Sequence, residues 1–265
     1  MVNVEAQNIY LAYGKSVVVK DVSFKAEAGL VSGLIGPNGS GKSTIIKALG
    51  RLIPVSSGRI FIEGRDAKSY SQRELAALVG MVPQFPLLPG LFTAYDVVLM
   101  GRNPHIGFFG WEKEIDHQIA REAMRMAGIG ALAGRRINEL SGGEIQSVVI
   151  ARALAQETRA IILDEPTSNL DIGREVEILD LLKGLALEKG ITIIMALHDL
   201  NLAAQYCDRI TLLNEGRVQS VGSPEEVITE DAIKDVYGAR SLIFPHPLNK
   251  RPVVIPVAGS SEPRE

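Results

Sequence analysis

The sequence predicts an α/β fold with a mainly parallel sheet, an N-terminal antiparallel β subdomain and an inserted helical subdomain. Two observations support this prediction. Short, continuous apolar runs bounded by turn residues recur along the chain, as in strands buried on both faces of a parallel sheet. Segments with helical spacing of apolar residues separate these runs, and such alternation of strands and helices is typical of parallel sheets.

The strands predicted for the parallel sheet are the four apolar runs. They cover residues 30–35, 78–82, 160–163 and 191–197. The clearest helix between two of them spans 171–188, where apolar residues recur every three or four positions and Gly190 can end the helix. A short apolar strand on either side of a helix is the repeating unit of a parallel sheet.

Three other regions differ from this alternation. Short alternating segments such as 18–24 predict a small antiparallel sheet, whereas residues 86–156 contain helix-like stretches without a convincing strand. Ser223 and Pro224 begin another short helix, and prolines beyond residue 240 exclude a helical tail. We therefore expect one domain over residues 1–240, with the helical insertion at about 86–156, and a partly mobile tail at 241–265.

Composition excludes several classes of function. The net charge is -3, from 28 basic and 31 acidic residues spread along the chain, so nucleic acid is not the expected partner. The apolar runs are far shorter than the ~20 residues of a membrane-spanning helix, and the N-terminus lacks the pattern of a secretory signal. Cys207 is the single cysteine, which excludes an internal disulfide and indicates a small core residue.

A phosphate-binding loop lies between a predicted strand and a predicted helix. The segment GPNGSGKST matches G-x-x-x-x-G-K-[ST], in which backbone N–H groups converge on a phosphate and the helix N-terminus attracts negative charge. Lys42 would reach the β- and γ-phosphates, and the Ser43 hydroxyl would bind Mg²⁺. The sequence thus predicts a P-loop NTPase core. The residues of this phosphate loop are Gly36, Pro37, Asn38, Gly39, Ser40, Gly41, Lys42, Ser43 and Thr44.

Three more predicted strands end in polar residues that suit the same chemistry. Because carboxyl ends of parallel strands share one edge, these residues are expected to lie beside the phosphate loop. Asp164 would hold Mg²⁺ through water, and Glu165 would act as the general base on an attacking water. Gln84 would contact Mg²⁺ or that water, and His198 would hydrogen-bond the γ-phosphate.

A second glycine-rich helix start occurs at residues 140–144, LSGGE. Ser141 and Glu144 have the spacing of a capping box, but a capping box does not explain Gly142 and Gly143, which weaken a helix relative to alanine. A phosphate that approaches the backbone closely would explain both glycines. The segment has no lysine and no metal ligand, so it can only complete a nucleotide site of its own chain or of another chain.

Together these motifs resemble those of one family. GPNGSGKST, the glutamine of VPQ, LSGGE, IILDEP, SNLD and the histidine of LHD occur in the order and spacing found in the ATP-binding subunits of ABC transporters. The resemblance covers residues 1 to about 240. LSGG between the glutamine and the strand ending in Asp-Glu separates this family from other P-loop ATPases. The resemblance implies an enzyme that hydrolyses ATP with Mg²⁺ as cofactor.

The resemblance also implies a head-to-tail homodimer with two ATP molecules at its interface. Each ATP would lie between the phosphate loop of one chain and LSGGE of the other, and residues 168–171 would cross the interface. The family's aromatic that stacks on adenine corresponds to Tyr13. The other nucleotide-binding positions implied outside the phosphate loop are Ser141, Gly142, Gly143, Glu144 and Asp171.

Three side chains depart from the family pattern. Glu144 replaces a common glutamine, and Ile145 and Ser147 stand where the family often has arginines. Contacts that those side chains make elsewhere in the family are therefore open in this chain. The contacts of the backbone and of Ser141 are unaffected.

Two segments narrow the class of transporter. Residues 101–110, GRNPHIGFFG, and 197–210, LHDLNLAAQYCDRI, are similar to the ATPases of importers for iron-siderophores, haem and cobalamin. Importers for other metals or oxyanions share these features and remain an alternative. The resemblance implies a peripheral protein at the cytoplasmic face of the cell membrane, bound to polytopic permease subunits and served indirectly by an extracytoplasmic substrate-binding protein.

A different class remains as a second alternative, a soluble ABC ATPase acting on nucleic acid or ribosomes. Such proteins usually carry two nucleotide domains or a long coiled-coil insertion, and this sequence shows neither.

Phe92, Phe108, Phe109 and Trp111 cluster in a chain with only 5% aromatic residues. We expect them to include contacts with the membrane subunit. The competing interpretation is that they fill the core of the helical subdomain.

Overall fold

The computed structural model describes residues 3–106, 110–168 and 170–258. The strands are β1 (Val4–Tyr13), β2 (Ser16–Ala26), β3 (Val31–Ile35), β4 (Ser57–Ile62), β5 (Arg65–Asp66), β6 (Val79–Val82), β7 (Ala160–Asp164), β8 (Thr192–Ala196), β9 (Arg209–Asn214), β10 (Arg217–Gly222), β11 (Ser241–Pro245) and β12 (Pro252–Pro256). The helices are α1 (Lys42–Leu49), α2 (Gln72–Leu78), α3 (Ala94–Leu99), α4 (Glu114–Met126), α5 (Gly142–Ala155), α6 (Ile172–Lys189), α7 (Leu200–Tyr206), α8 (Pro224–Val227) and α9 (Glu230–Tyr237).

A six-stranded sheet forms the centre of the molecule, in the order β10-β9-β3-β8-β7-β6. The five strands from β9 to β6 are parallel, and β10 joins the edge antiparallel to β9. Every residue of β3, β7 and β8 is buried, which explains why these strands are continuous apolar runs in the sequence. The four predicted parallel strands correspond to β6, β7, β8 and β3, so this part of the predicted fold is confirmed.

A second, four-stranded sheet has the order β2-β1-β4-β5 and is antiparallel throughout. Its inner face packs on α1, where Ile45, Ile46 and Leu49 join residues of β1 and β4 in one buried cluster. The predicted antiparallel subdomain is therefore present. Its strands β4 and β5 follow α1 in the sequence, and the alternating pattern of the first thirty residues did not reveal them.

The helical insertion lies between β6 and β7 and contains α3, α4 and α5. Val97, Val98, Met124 and Val148 belong to a buried cluster of its own, separate from the two clusters that cover the central sheet. Within the described part of residues 86–156, the only β pairing is one isolated bridge between Thr93 and Arg136. The structure thus agrees with the predicted helical character of this region.

The C-terminal segment packs against the core as a hairpin of β11 and β12. Arg251 attaches it to the end of α7, donating hydrogen bonds to the carbonyl oxygens of Ala204, Gln205 and Cys207. The Cys207 thiol is completely buried, and burial raises its pKa to about 12. The thiol is therefore neutral and packs as a small core residue, as the sequence indicates.

No helix in the described residues is both long enough and apolar enough to span a bilayer.

Candidate nucleotide site

The phosphate loop connects the end of β3 to the start of α1, at the carboxyl edge of the central sheet. Its first glycine is sterically required, because a Cβ at Gly36 would lie 2.3 Å from the carbonyl oxygen of Leu213. Gly41 caps α1 in the left-handed region, at φ 103°, where other residues are strained. The loop thus lies between a buried strand and a helix N-terminus, as the sequence motif predicts.

Lys42 lies in the first turn of α1, with its side chain directed back across the loop. Its ammonium group donates hydrogen bonds to the carbonyl oxygens of Gly36, at 2.7 Å, and Pro37, at 3.1 Å. Burial lowers its pKa, and the nearby Glu165 and Asp164 carboxylates oppose that shift. The cation is thus largely removed from water beside the loop, where its attraction for phosphate oxygens is strongest.

Ser43 and Asp164 form the oxygen-rich part of the site. The Ser43 hydroxyl donates a 2.8 Å hydrogen bond to Oδ1 of Asp164, which ends β7 and is buried. Burial raises the pKa of Asp164, the Ser43 hydroxyl lowers it, and the neighbouring Glu165 raises it. A hydroxyl and a carboxylate fit Mg²⁺, which takes one or two such ligands together with waters and phosphate oxygens. No cluster of three His, Cys, Asp or Glu metal ligands occurs among the described residues.

Glu165 is the point at which three strand ends converge. Its Oε2 accepts a 2.5 Å hydrogen bond from the Gln84 side-chain amide and lies 3.8 Å from Nδ1 of His198. The Glu165 side chain is mostly buried, and its backbone is left-handed, at φ 48°. A non-glycine residue in that region is strained and is commonly held there by its surroundings at functional sites. Gln84, Glu165 and His198 meet because β6, β7 and β8 are neighbours.

Residues 141–144, named here the SGGE turn, form the first turn of α5. Ser141 caps the helix, and Oε2 of Glu144 accepts hydrogen bonds from the Ser141 N–H, at 2.8 Å, and hydroxyl, at 2.9 Å. The predicted capping box is therefore present. Apart from its own helix, no atom of the described chain would lie within 4 Å of a Cβ at Gly142. The described contacts do not require glycine at this position.

The structure does not bring the SGGE turn to the phosphate loop. Within the described residues, the hydrogen bonds of Ser141 run only to its own helix. Tyr13 ends β1 and is half-exposed, and Asp171 caps α6 by accepting a hydrogen bond from the Arg174 N–H at 3.0 Å. Ser168 folds back onto Glu165, donating from its hydroxyl to the Glu165 carbonyl at 2.9 Å.

The predicted aromatic cluster is only partly described. Phe92 and Trp111 expose 45% and 85% of their surface, and neither belongs to the buried core of the helical insertion. Phe108 and Phe109 lie outside the described residues. Phe85, Leu87 and Leu91, in the segment just after Gln84, are also exposed. This concentration of exposed apolar side chains is typical of a contact surface for another protein.

Sequence reasoning missed one residue of the region, Arg174 near the start of α6. Its guanidinium group donates hydrogen bonds to the Ser147 hydroxyl at 3.1 and 3.2 Å. Ile145, the other position where the family often has arginine, packs against the core of the helical insertion. The sequence feature that could have pointed to the Arg174–Ser147 contact was the serine at position 147, where the family often has arginine.

These features define the ATP-binding subunits of one transporter family. The family model described as ABC transporter matches residues 19–168, and the chain belongs to that family. The chain is 38% identical over 252 residues to the ferric enterobactin transport ATP-binding protein FepC of Escherichia coli (strain K12), covering 95% of this chain and 93% of that protein.

Two solved structures are similar over most of the chain. An ABC transporter of metal-chelate type in an inward-facing conformation superposes with a TM-score of 0.83 at 28% identity, covering 97% of both chains. The dimeric structure of MJ0796, a bacterial ABC transporter cassette, superposes with a TM-score of 0.76 at 31% identity, covering 83% of this chain and 98% of that one.

Proposed function

We propose that this chain is the ATP-hydrolysing subunit of an ABC importer that takes up a metal chelate of the iron-siderophore, haem or cobalamin class. The observation that carries the proposal is the convergence of Gln84, Glu165 and His198 beside the phosphate loop. The substrate class is supported by the 38% identity to the ferric enterobactin protein and by the likeness to a metal-chelate transporter. Importers for other metals or oxyanions are the alternative.

In this proposal Glu165 is the general base for water attack on the γ-phosphate. Gln84 orients the carboxylate through its 2.5 Å hydrogen bond, and His198 contacts the γ-phosphate. Lys42 neutralises charge on the β- and γ-phosphates from its buried position. Ser43, Asp164 and Gln84 would hold Mg²⁺, which supplies further neutralisation of phosphate charge when bound.

We propose that the active form is a head-to-tail homodimer. The exposed SGGE turn, whose hydrogen bonds within the described chain remain in its own helix, supports this arrangement, as does the dimeric structure of the MJ0796 cassette. Ser141, Gly142 and Gly143 would bind the γ-phosphate held by the partner's phosphate loop, with Glu144 maintaining the turn. Tyr13 would stack on adenine, and Asp171 would lie across the interface.

The exposed apolar side chains in the helical insertion and just before it, among them Phe85, Phe92 and Trp111, are proposed to bind the membrane subunit. The chain would then act at the cytoplasmic face of the membrane, with residues 1–240 forming the ATP-binding domain. Co-purification with a polytopic membrane protein is expected when the transport partners are co-expressed. Co-sedimentation with ribosomes instead would contradict the importer assignment.

Glu165→Gln tests the proposed chemistry directly. The variant is expected to bind ATP as the parent does and to lose turnover by about 10²-fold or more, since general-base catalysis contributes 10²–10⁴-fold. Phosphate release and equilibrium binding of a fluorescent ATP analogue measure the two properties. Glu188→Gln, an exposed carboxylate near the end of α6, serves as the control and should leave both unchanged. Undiminished hydrolysis in Glu165→Gln would remove Glu165 from this role.

A further inference from the structure

Arg174 joins three segments that are far apart in the sequence. Its Nε and Nη2 atoms donate to the Ser147 hydroxyl oxygen at 3.2 and 3.1 Å, and Nη2 also donates to the carbonyl oxygen of Ala127, just after α4. Ser147 extends the connection, because its hydroxyl donates to the carbonyl oxygen of Gly143 at 3.0 Å. Arg174 thereby reaches the SGGE turn through a single buried hydroxyl.

The same residue is tied to the other segment proposed to cross the dimer interface. The Arg174 N–H donates to Oδ1 of Asp171, the residue that caps α6. Asp171, Arg174, Ser147 and Gly143 form a continuous series of hydrogen bonds, named here the Arg174 bridge. One end of the bridge is the cap of α6, and the other is the backbone of the SGGE turn.

The surroundings of the guanidinium group accommodate it closely. The Arg174 side chain is only 22% exposed, and Ser147 is 1% exposed. A Cβ at Gly128, where φ is +64°, would lie 2.8 Å from Nη1, so this glycine leaves the space that the guanidinium occupies. The remaining donor, Nη1, pairs with the exposed Glu177 at 2.6 Å. The guanidinium group that contacts Ser147 thus comes from α6.

We propose that Arg174 is a positioning residue that holds the SGGE turn and the cap of α6 as one unit. Both segments then approach the partner chain's nucleotide in a fixed relative orientation. The inference rests on the proposed homodimer, in which both segments lie at the interface between the chains. Arg174 acts through Ser147 and Gly143 and needs no contact with ATP, so its loss should weaken dimer closure without weakening ATP binding to the phosphate loop.

The experiment compares variants in the Glu165→Gln background, where ATP-driven dimers accumulate. Analytical ultracentrifugation measures the ATP-dependent dimer dissociation constant, and a fluorescent ATP analogue measures the nucleotide affinity of the monomer. Arg174→Ala is expected to raise the dimer dissociation constant about tenfold at unchanged nucleotide affinity. Glu177→Ala, which removes only the solvent-side partner of Arg174, is the control and should change neither.

Two further variants separate positioning from a general loss of stability. In Ser147→Ala the series of hydrogen bonds is already broken, so adding Arg174→Ala should weaken dimerisation less than it does in the parent. The exchanged pair Ser147→Arg with Arg174→Ser supplies the cation from α5 and should regain most of the dimer affinity. Additive effects in the first comparison, or no recovery in the second, would overturn the proposal.

The outcomes also distinguish a failure of the proposed homodimer from a failure of the proposed role of Arg174. A Glu165→Gln parent that forms no dimer with ATP contradicts the proposed homodimer, and the role of Arg174 falls with it. A parent that dimerises while Arg174→Ala dimerises equally well leaves the homodimer intact and overturns the positioning role. Parallel loss of nucleotide affinity and dimerisation in Arg174→Ala would likewise overturn it, because that pattern indicates a purely structural residue.

Discussion

The side-chain amide of Gln84 donates a 2.5 Å hydrogen bond to Oε2 of Glu165. Gln84 lies between β6 and the helical insertion, whereas Glu165 follows β7, the first strand after the insertion. The bond therefore connects the start of the insertion to the proposed general base. A movement of the insertion that displaces Gln84 would change the orientation of the Glu165 carboxylate.

Gln84→Ala should accordingly slow ATP hydrolysis by about 10- to 100-fold, the equivalent of losing one hydrogen bond to a charged group. The physical reason is that the carboxylate loses the donor that orients it. Steady-state phosphate release measures the rate, with Gln72→Ala, an exposed glutamine at the start of α2, as the control. A Gln84→Ala rate equal to that of the parent would separate this bond from catalysis.

Gly142→Ala is expected to separate stability from activity. Among the described residues, no atom outside the helix itself would lie within 4 Å of the added Cβ, so the free energy of unfolding should stay equal or rise by up to about 1 kcal/mol. The ATPase rate should nevertheless fall at least tenfold, because the new methyl group would face the partner's nucleotide.

Gly184→Ala is the matched control, since Gly184 lies within α6 and an added Cβ there also meets no described atom outside its own helix within 4 Å. It should stabilise the protein without loss of activity. Urea unfolding and phosphate release measure the two properties. A Gly142→Ala variant with full activity would contradict the proposed approach of a phosphate to this backbone.

Asp116 gives the helical insertion a defined response to acid. The hydrogen bond from the Lys113 N–H is the main cause that lowers the pKa of Asp116 below its ordinary value of 3.8. Hydrogen bonding and charge from Arg102 lower the pKa further. A folded-state pKa that is depressed contributes stability above the unfolded-state value and loses it as pH falls through the folded-state value. The contribution should therefore be complete at pH 7 and diminish progressively below about pH 4.

Asp116→Asn should lower the free energy of unfolding by about 2 kcal/mol at pH 7, and the difference from the parent should shrink in acid. Urea unfolding at pH 7 and at stepwise lower pH measures this convergence. Glu114→Gln, which removes an exposed ion pair with Arg121, is the control and should cost less than about 1 kcal/mol. A difference that stays constant with pH would contradict the assigned cause.

The sequence predicted that Gln84, Glu165 and His198 would meet at one edge of the central sheet, because the pattern that places each of them is local. Each polar residue directly follows a short apolar run, and parallel strands bring such positions to one edge whatever their order in the sheet. The strand order, which makes Gln84, Glu165 and His198 direct neighbours, depends on long-range packing and was not predicted. The Arg174–Ser147 contact was missed for the same reason, since 27 residues separate its partners.

Strands with weaker patterns were harder to predict. β4 buries only Ile60 and Ile62, β5 has only two residues, and β11 and β12 are bounded by prolines that favour a loop. The hairpin of β11 and β12 is held on α7 by two sets of hydrogen bonds. Arg251 donates to the Ala204 carbonyl oxygen, and the Asn201 side chain pairs with the backbone of Val254. Ala204 and Asn201 lie about fifty residues before Arg251 and Val254, so no local sequence pattern reveals these contacts.

The most direct test of the central claim is a heterodimer that carries Glu165→Gln in one chain and Ser141→Arg in the other. If each site combines one chain's phosphate loop with the other's SGGE turn, one intact site remains and about half of the parent ATPase rate is expected. The control heterodimer carries both substitutions in one chain beside an unmodified partner, and it should be inactive. The reverse result, an active control and an inactive mixed pair, would show that each chain completes its own site.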